Sequence, residues 1–164
     1  MLPEGALVPH WLIMRDMRVS TISDELWRSS NNKDEYTNRV FNYIMQNHVY
    51  ALDEDAFGMA EYVQMPAEFF ENGVGDCEEG GITMVTLSWM KMVPAFMVIG
   101  YHYTSSHRWP VVFYNGEWTV FDTVSGAIFP YADMEARGYQ TLFEVGPFFA
   151  RISAVPFTPF LPLP

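Results

Sequence analysis

Three residues of this sequence could together carry out covalent chemistry: Cys77, His107 and Asp122. Cys77 is the only cysteine of the chain and lies in GVGDCEEGGITM, residues 73–84. A cysteine at the start of a helix sits among free backbone N–H groups at the positive end of the helix dipole. Both favour the thiolate, the form that attacks carbonyl carbon. The same N–H groups can hold an oxyanion, and the Cys77 N–H is the first expected donor. A lone cysteine is more often a small core hydrophobe, so this reading depends on what the rest of the chain brings to it.

His107, in SSHRWPVVFYNGEWTVFDTV, opens a strand candidate. Asn115-Gly116 is a strong hairpin signal, because both central positions of a type I′ turn need positive φ. A two-residue turn there pairs 114 with 117, and therefore 109 with 122. Asp122 then falls diagonal to His107, within cross-strand side-chain reach. Its carboxylate could fix the imidazole tautomer and stabilise an imidazolium. Alone, His107 reads as a strand-edge histidine and Asp122 as a residue ending a strand. In the order Cys, His, Asp they match the arrangement of papain-like nucleophiles.

The elements that would position these residues follow from periodicity. Residues 1–20 show no period and read as an extended arm. Ser23 before DELW reads as a helix start. Tyr36, Val40, Phe41, Ile44 and Met45 recur at helical spacing over about 33–48. Residues 51–66 read mostly as loop, and Pro66 opens a short helix that Gly73 ends. A helix from Cys77 to about Met92 is apolar nearly all round, which predicts a buried central helix. Within it, Gly80 and Gly81 suggest close approach of another backbone. Strands are expected at 95–103, 109–114 and 117–122, with one or two more over 141–155, broken at Gly146-Pro147. The fold class is α+β: N-terminal helices with a central Cys-bearing helix on an antiparallel sheet. The length of 164 residues suits one domain, with a core over about 33–155 and a proline-rich tail at 156–164.

Composition narrows the function. With 49% apolar and 16% aromatic residues the chain can bury a sizeable core. A net charge of −11 argues against nucleic-acid binding and anionic membrane surfaces, and allows a basic protein or peptide partner. No signal peptide or transmembrane segment is evident, which points by default to the cytoplasm. One cysteine excludes an internal disulfide and multi-cysteine metal sites. Asp53, Glu54 and Asp55 lack EF-hand spacing and read as a solvated acidic loop. His102 and His107 lack a zinc pattern, and Ser105-Ser106 lack a nucleophile elbow. No metal or organic cofactor is expected. The oligomeric state is open.

GVGDCEEGG, then HRW, then GEWTVFDTV, in that order, resemble the transglutaminase-like superfamily of cysteine enzymes. EYVQMPAEFFENGVGDC also resembles a stretch of its small microbial members. The resemblance spans about 36–125. It implies a papain-like core, Cys77 as nucleophile, His107 as acid–base and Asp122 as the residue orienting His107. Arg108 stands where the commoner motif has alanine. Trp109 is expected to pack beside the catalytic pair and, with Arg108 and Tyr62, to form the substrate rim. Gln64 is a candidate second oxyanion donor, with Tyr62 a weaker rival and a surface glutamine the ordinary alternative. The implied reaction is acyl transfer on an amide or isopeptide bond through a thioester. Hydrolysis is favoured, with glutamine cross-linking and a non-catalytic binding module as the alternatives.

Overall fold

The computed structural model describes residues 16–147 and 149–152. Helix α1 spans Met17–Arg28, because Asp16 supplies the N-cap by accepting from the Arg18 N–H. The helix therefore begins before Ser23, where the sequence suggested a start. Ser23 is buried mid-helix instead, its hydroxyl 2.9 Å from that of Tyr36. Helix α2, Lys33–Asn47, is capped by Asn32 and buries Tyr36, Val40, Phe41 and Ile44. Strand β1, Val49–Tyr50, pairs in parallel with β2, Val74–Gly75. Between them lie α3, Asp53–Phe57, and α4, Pro66–Asn72. The segment expected to be loop thus contains a short helix, ended by Gly58 at φ 68°.

Helix α5, Cys77–Met90, buries every residue from Cys77 to Ser88. It is the central helix predicted from its all-round apolar pattern. The residues approaching its two glycines are side chains rather than backbone: a Cβ on Gly80 would meet Thr123, and one on Gly81 would meet Met97.

Strands β3 (Ala95–His102), β4 (Ser105–Tyr114), β5 (Glu117–Phe121), β6 (Ile128–Pro130), β7 (Tyr139–Gly146) and β8 (Phe149–Ile152) form one antiparallel sheet in the order β6-β5-β4-β3-β7-β8. The β4–β5 hairpin has the derived register, Tyr114 opposite Glu117 and Val111 opposite Val120, with Asn115 and Gly116 both at positive φ. Strand alternation divides the core. Met97, Val112 and Phe121 face the helices, whereas Trp109, Val111, Val120 and Phe129 form a second cluster with Met134 and Tyr139. The architecture is α+β, helices first and sheet second. Among the described residues no helix is long and apolar enough to cross a membrane. The proline-rich tail lies outside the described residues.

Candidate active site

Cys77 is the first residue of α5. Asp76 caps the helix, its Oδ1 accepting from the Glu78 N–H at 2.9 Å. Glu79 completes a capping box by accepting from the Asp76 N–H at 2.9 Å. Its other oxygen accepts from the Gln64 N–H at 3.0 Å, tying the 60s loop to the nucleophile's cap. The motif D-C-E-E is therefore a helix start whose first and last members hold the cysteine in place.

His107 and Asp122 meet as the register predicts. His107 Nε2 lies 3.1 Å from Asp122 Oδ2, and both residues are buried. The same oxygen accepts from the Tyr139 hydroxyl at 2.6 Å. Asp122 Oδ1 accepts from the backbone N–H groups of Val124, at 2.9 Å, and Ser125, at 3.2 Å. Burial would raise the Asp122 pKa, but His107, Tyr139 and the Val124 N–H outweigh it and hold the carboxyl well below its usual range. An ionised Asp122 fixes the proton on Nε2 and leaves Nδ1 as the basic nitrogen.

The link from His107 to the thiol runs through one peptide unit. The backbone N–H of Arg108, bonded directly to His107, acts on the Cys77 sulphur and favours its anion. The thiol itself differs from the sequence expectation. Cys77 is only 7% exposed, and its Sγ donates to Glu78 Oε2 at 3.8 Å. Burial first, then the carboxylates of Asp76 and Glu78, push its pKa up to about 12. Helix position alone predicted a lowered value. Two adjacent carboxylates and desolvation outweigh the N–H groups.

The other predicted residues take different places. Arg108 binds Glu78 through Nη1 at 2.5 Å, and that carboxylate is almost fully buried beside the thiol. Trp109 is fully buried, so it does not line a rim. Its ring stacks on His107 with centroids 5.6 Å apart, which meets the expectation that it packs beside the pair. Gln64 is likewise fully buried rather than at the surface. Its side-chain amide donates to the Val74 carbonyl at 3.0 Å and accepts from Asn72 at 2.9 Å, so it braces the segment entering α5 instead of offering a free oxyanion donor. Tyr62 bonds Glu68 through its hydroxyl and Asp53 through its backbone N–H. Tyr139 carries no motif signal, since it comes from a strand remote in sequence. Glu78 follows the cysteine directly, but nothing in the sequence marks it as buried.

Among the described residues, one cluster made of carboxylates alone could hold a metal ion. Asp53, Asp76 and Glu79 bring ligand atoms within 4.8 Å of one another. Asp53 is buried, not solvated as expected, and its Oδ1 is buried without a hydrogen-bond partner. Burial raises the Asp53 pKa and pushes Glu79 up to about 7. Three converging hard oxygen donors, one of them orphaned, fit a divalent cation of the calcium type.

Comparison with known proteins agrees with this fold. The structure is similar to that of LapG from Legionella pneumophila, 18% identical, covering 83% of this chain and 76% of that one with a TM-score of 0.66. The calcium-bound form of LapG matches at 17% identity over 89% of this chain and 82% of that one, with a TM-score of 0.67. The comparison with curated proteins returned no match. The family model of the transglutaminase-like superfamily matches residues 20–123, from within α1 to the residue after Asp122, and the chain belongs to that superfamily.

Proposed function

We propose that this protein is a cysteine hydrolase that cleaves an amide bond, peptide or isopeptide, through a thioester on Cys77. The observation that carries the reading is the buried His107–Asp122 pair, whose next residue, Arg108, sets its backbone N–H on the Cys77 thiol at a helix N-terminus. Because the thiol holds its proton at rest, attack is assisted by general base catalysis rather than starting from a preformed ion pair. His107 Nδ1 takes the proton as sulphur adds to the carbonyl carbon. Asp122 stabilises the resulting imidazolium, and the Cys77 N–H faces the developing oxyanion. The tetrahedral intermediate collapses, the C–N bond breaks, and His107 gives its proton to the leaving amine. Water, deprotonated by His107, then opens the thioester to a carboxylic acid and regenerates the thiol.

Hydrolysis requires only water as the second substrate, so it is preferred to amine transfer. The acidic balance of the chain suits a basic peptide or protein substrate.

A calcium-type cation on Asp53, Asp76 and Glu79 accompanies this reading, favoured by the orphaned Asp53 oxygen and by the existence of a calcium-bound LapG. Such an ion would neutralise the cluster and fix α3 against the cap of α5.

The test is incubation with an unfolded protein mixture and a fluorescent primary amine, read by mass spectrometry of peptide termini and of labelled glutamines. New termini with wild type, none with Cys77→Ser and no amine incorporation are expected. Amine incorporation would move the assignment to cross-linking. No change with either protein would leave a binding module.

A further inference from the structure

A cleft of about 80 Å³ opens at the cap of α5, the helix that Cys77 begins. It is bounded on one side by Asp76, the residue before the proposed nucleophile, and by Thr123, the residue after Asp122. Any occupant therefore lies against the chain neighbours of both. The floor depends on Gly80: Thr123 Oγ1 sits 2.5 Å from where a Cβ would be, so only glycine lets that side chain close the bottom. The walls are largely apolar, from Ile44 and Met45 of α2, Phe69 of α4 and Val124, with Tyr50 and His48 adding polar atoms. His48 lies flat on Phe69, with ring centroids 3.9 Å apart, and its Nδ1 is 3.1 Å from the Ile44 carbonyl. The acidic group in the lining is Asp76, and its Oδ1 is engaged by the Glu78 N–H.

We infer that this cleft is the subsite for one uncharged aliphatic side chain of the substrate, valine- to leucine-sized, next to the bond under attack. The inference rests on the reading of Cys77 as the nucleophile. The volume suits a branched aliphatic group. Burying such a group against Met45, Phe69 and Val124 would hold the reacting carbonyl beside the thiol. The apolar walls offer no partner to an acidic side chain.

The test is the alkylation rate of Cys77 by a series of N-substituted chloroacetamides, read by intact mass. In each case sulphur displaces chloride to form a thioether, and the thiol proton leaves to His107 or solvent. The reacting carbon is the same throughout, so differences report the side group. The isobutyl probe should react at least about tenfold faster than the methyl probe, a ratio typical of aliphatic pockets. The carboxymethyl, aminobutyl and indolylethyl probes should show no such gain. Met45→Trp, at a residue 36% exposed, should fill the cleft and abolish the isobutyl preference, so that the isobutyl and methyl probes react at the same rate. Met45→Ala should shift the preference toward the indolylethyl probe. Equal rates for methyl and isobutyl, a preference for aminobutyl, or an isobutyl preference that survives Met45→Trp would overturn the subsite while leaving the nucleophile in place. Failure of every probe to label Cys77 in the folded protein would overturn the nucleophile reading itself, and the subsite with it.

Discussion

The Tyr139 hydroxyl donates to Asp122 Oδ2 at 2.6 Å, on the oxygen that also holds His107. A residue of β7 thus helps set the orientation of the imidazole on β4. Removing it by Tyr139→Phe leaves a buried carboxylate with one donor fewer. The expected loss of stability is about 1.5–3 kcal/mol, the range for hydrogen bonds to charged groups. Turnover should fall about tenfold, because His107 and the two backbone donors still hold Asp122. Asp122→Asn should be far more severe, about 10⁴-fold in kcat, since an amide can present N–H to the imidazole and select the wrong tautomer. Peptide turnover and thermal melts on both variants check the ranking. Equal losses would remove Tyr139 from its supporting role.

Stability should depend on pH through groups shifted in opposite directions. The Asp122 pKa is depressed, so its contribution is present above the unfolded value of about 3.9 and is lost as pH falls through the folded value. Burial raises Glu79 to about 7 and, with Asp76 nearby, raises Glu78 to about 9. A raised carboxyl contributes stability below its unfolded pKa of about 4.3, and this is lost as pH rises through the folded value. Arg108 opposes the shift of Glu78 without cancelling it. The melting temperature measured without added metal should therefore peak near pH 5 and decline toward pH 9, with a shallower decline in Glu78→Gln. A melting temperature that rises steadily from pH 5 to 9 would contradict the assignment.

The parts of the site set by local rules could be read from sequence. Asn115-Gly116 determines the hairpin register, and the register alone carries Asp122 to His107. Pro66 and Gly73 mark the ends of α4, and the apolar girth of α5 marks it as buried. What could not be read depends on tertiary contact. Tyr139 reaches Asp122 through the pairing of β7 with β3, which no local pattern specifies. The Cys77 pKa was predicted in the wrong direction because the helix-end effect is local, whereas the burial that overrides it is not. Gln64 and Trp109 looked like site residues and are fully buried supports. Sequence position near a motif does not distinguish a side chain that faces the cleft from one that holds it up. Asp53 looked solvated among its acidic neighbours, yet α3 turns it inward.

Calcium should stabilise the protein measurably if Asp53, Asp76 and Glu79 bind it. At a calcium concentration about 100 times the dissociation constant, linkage gives about 2.7 kcal/mol. Calorimetric melts with calcium against chelator should show the increase. Asp53→Asn should abolish most of it, because it removes the charge of the carboxylate whose Oδ1 lacks any other partner. Glu68→Gln, which alters the partner of the Tyr62 hydroxyl but none of the three carboxylates, should keep the calcium response. An identical melting temperature with and without calcium would remove the ion from the proposed function and leave the hydrolase reading intact.

Gly80 and Gly81 are adjacent on α5 but should respond differently to alanine. At Gly81 the new Cβ would fall 2.3 Å from Met97 Cε, the far end of a flexible side chain that can swing away. Alanine also improves helix propensity by up to about 1 kcal/mol, so Gly81→Ala should change stability by less than about 1 kcal/mol and leave turnover intact. At Gly80 the Cβ would fall 2.5 Å from Thr123 Oγ1 and 2.9 Å from its Cβ. Thr123 follows Asp122 in a turn pinned by the Val124 and Ser125 N–H groups, so displacing it moves the carboxylate that orients His107. A shift of about 1 Å in such a group can cost about 100-fold in rate. Gly80→Ala should therefore lose far more activity than stability. Adding Thr123→Ala, which removes the clashing atoms, should restore most of the turnover. Persistent loss in the double variant would mean that Gly80 is needed for the helix itself and not for the position of Asp122.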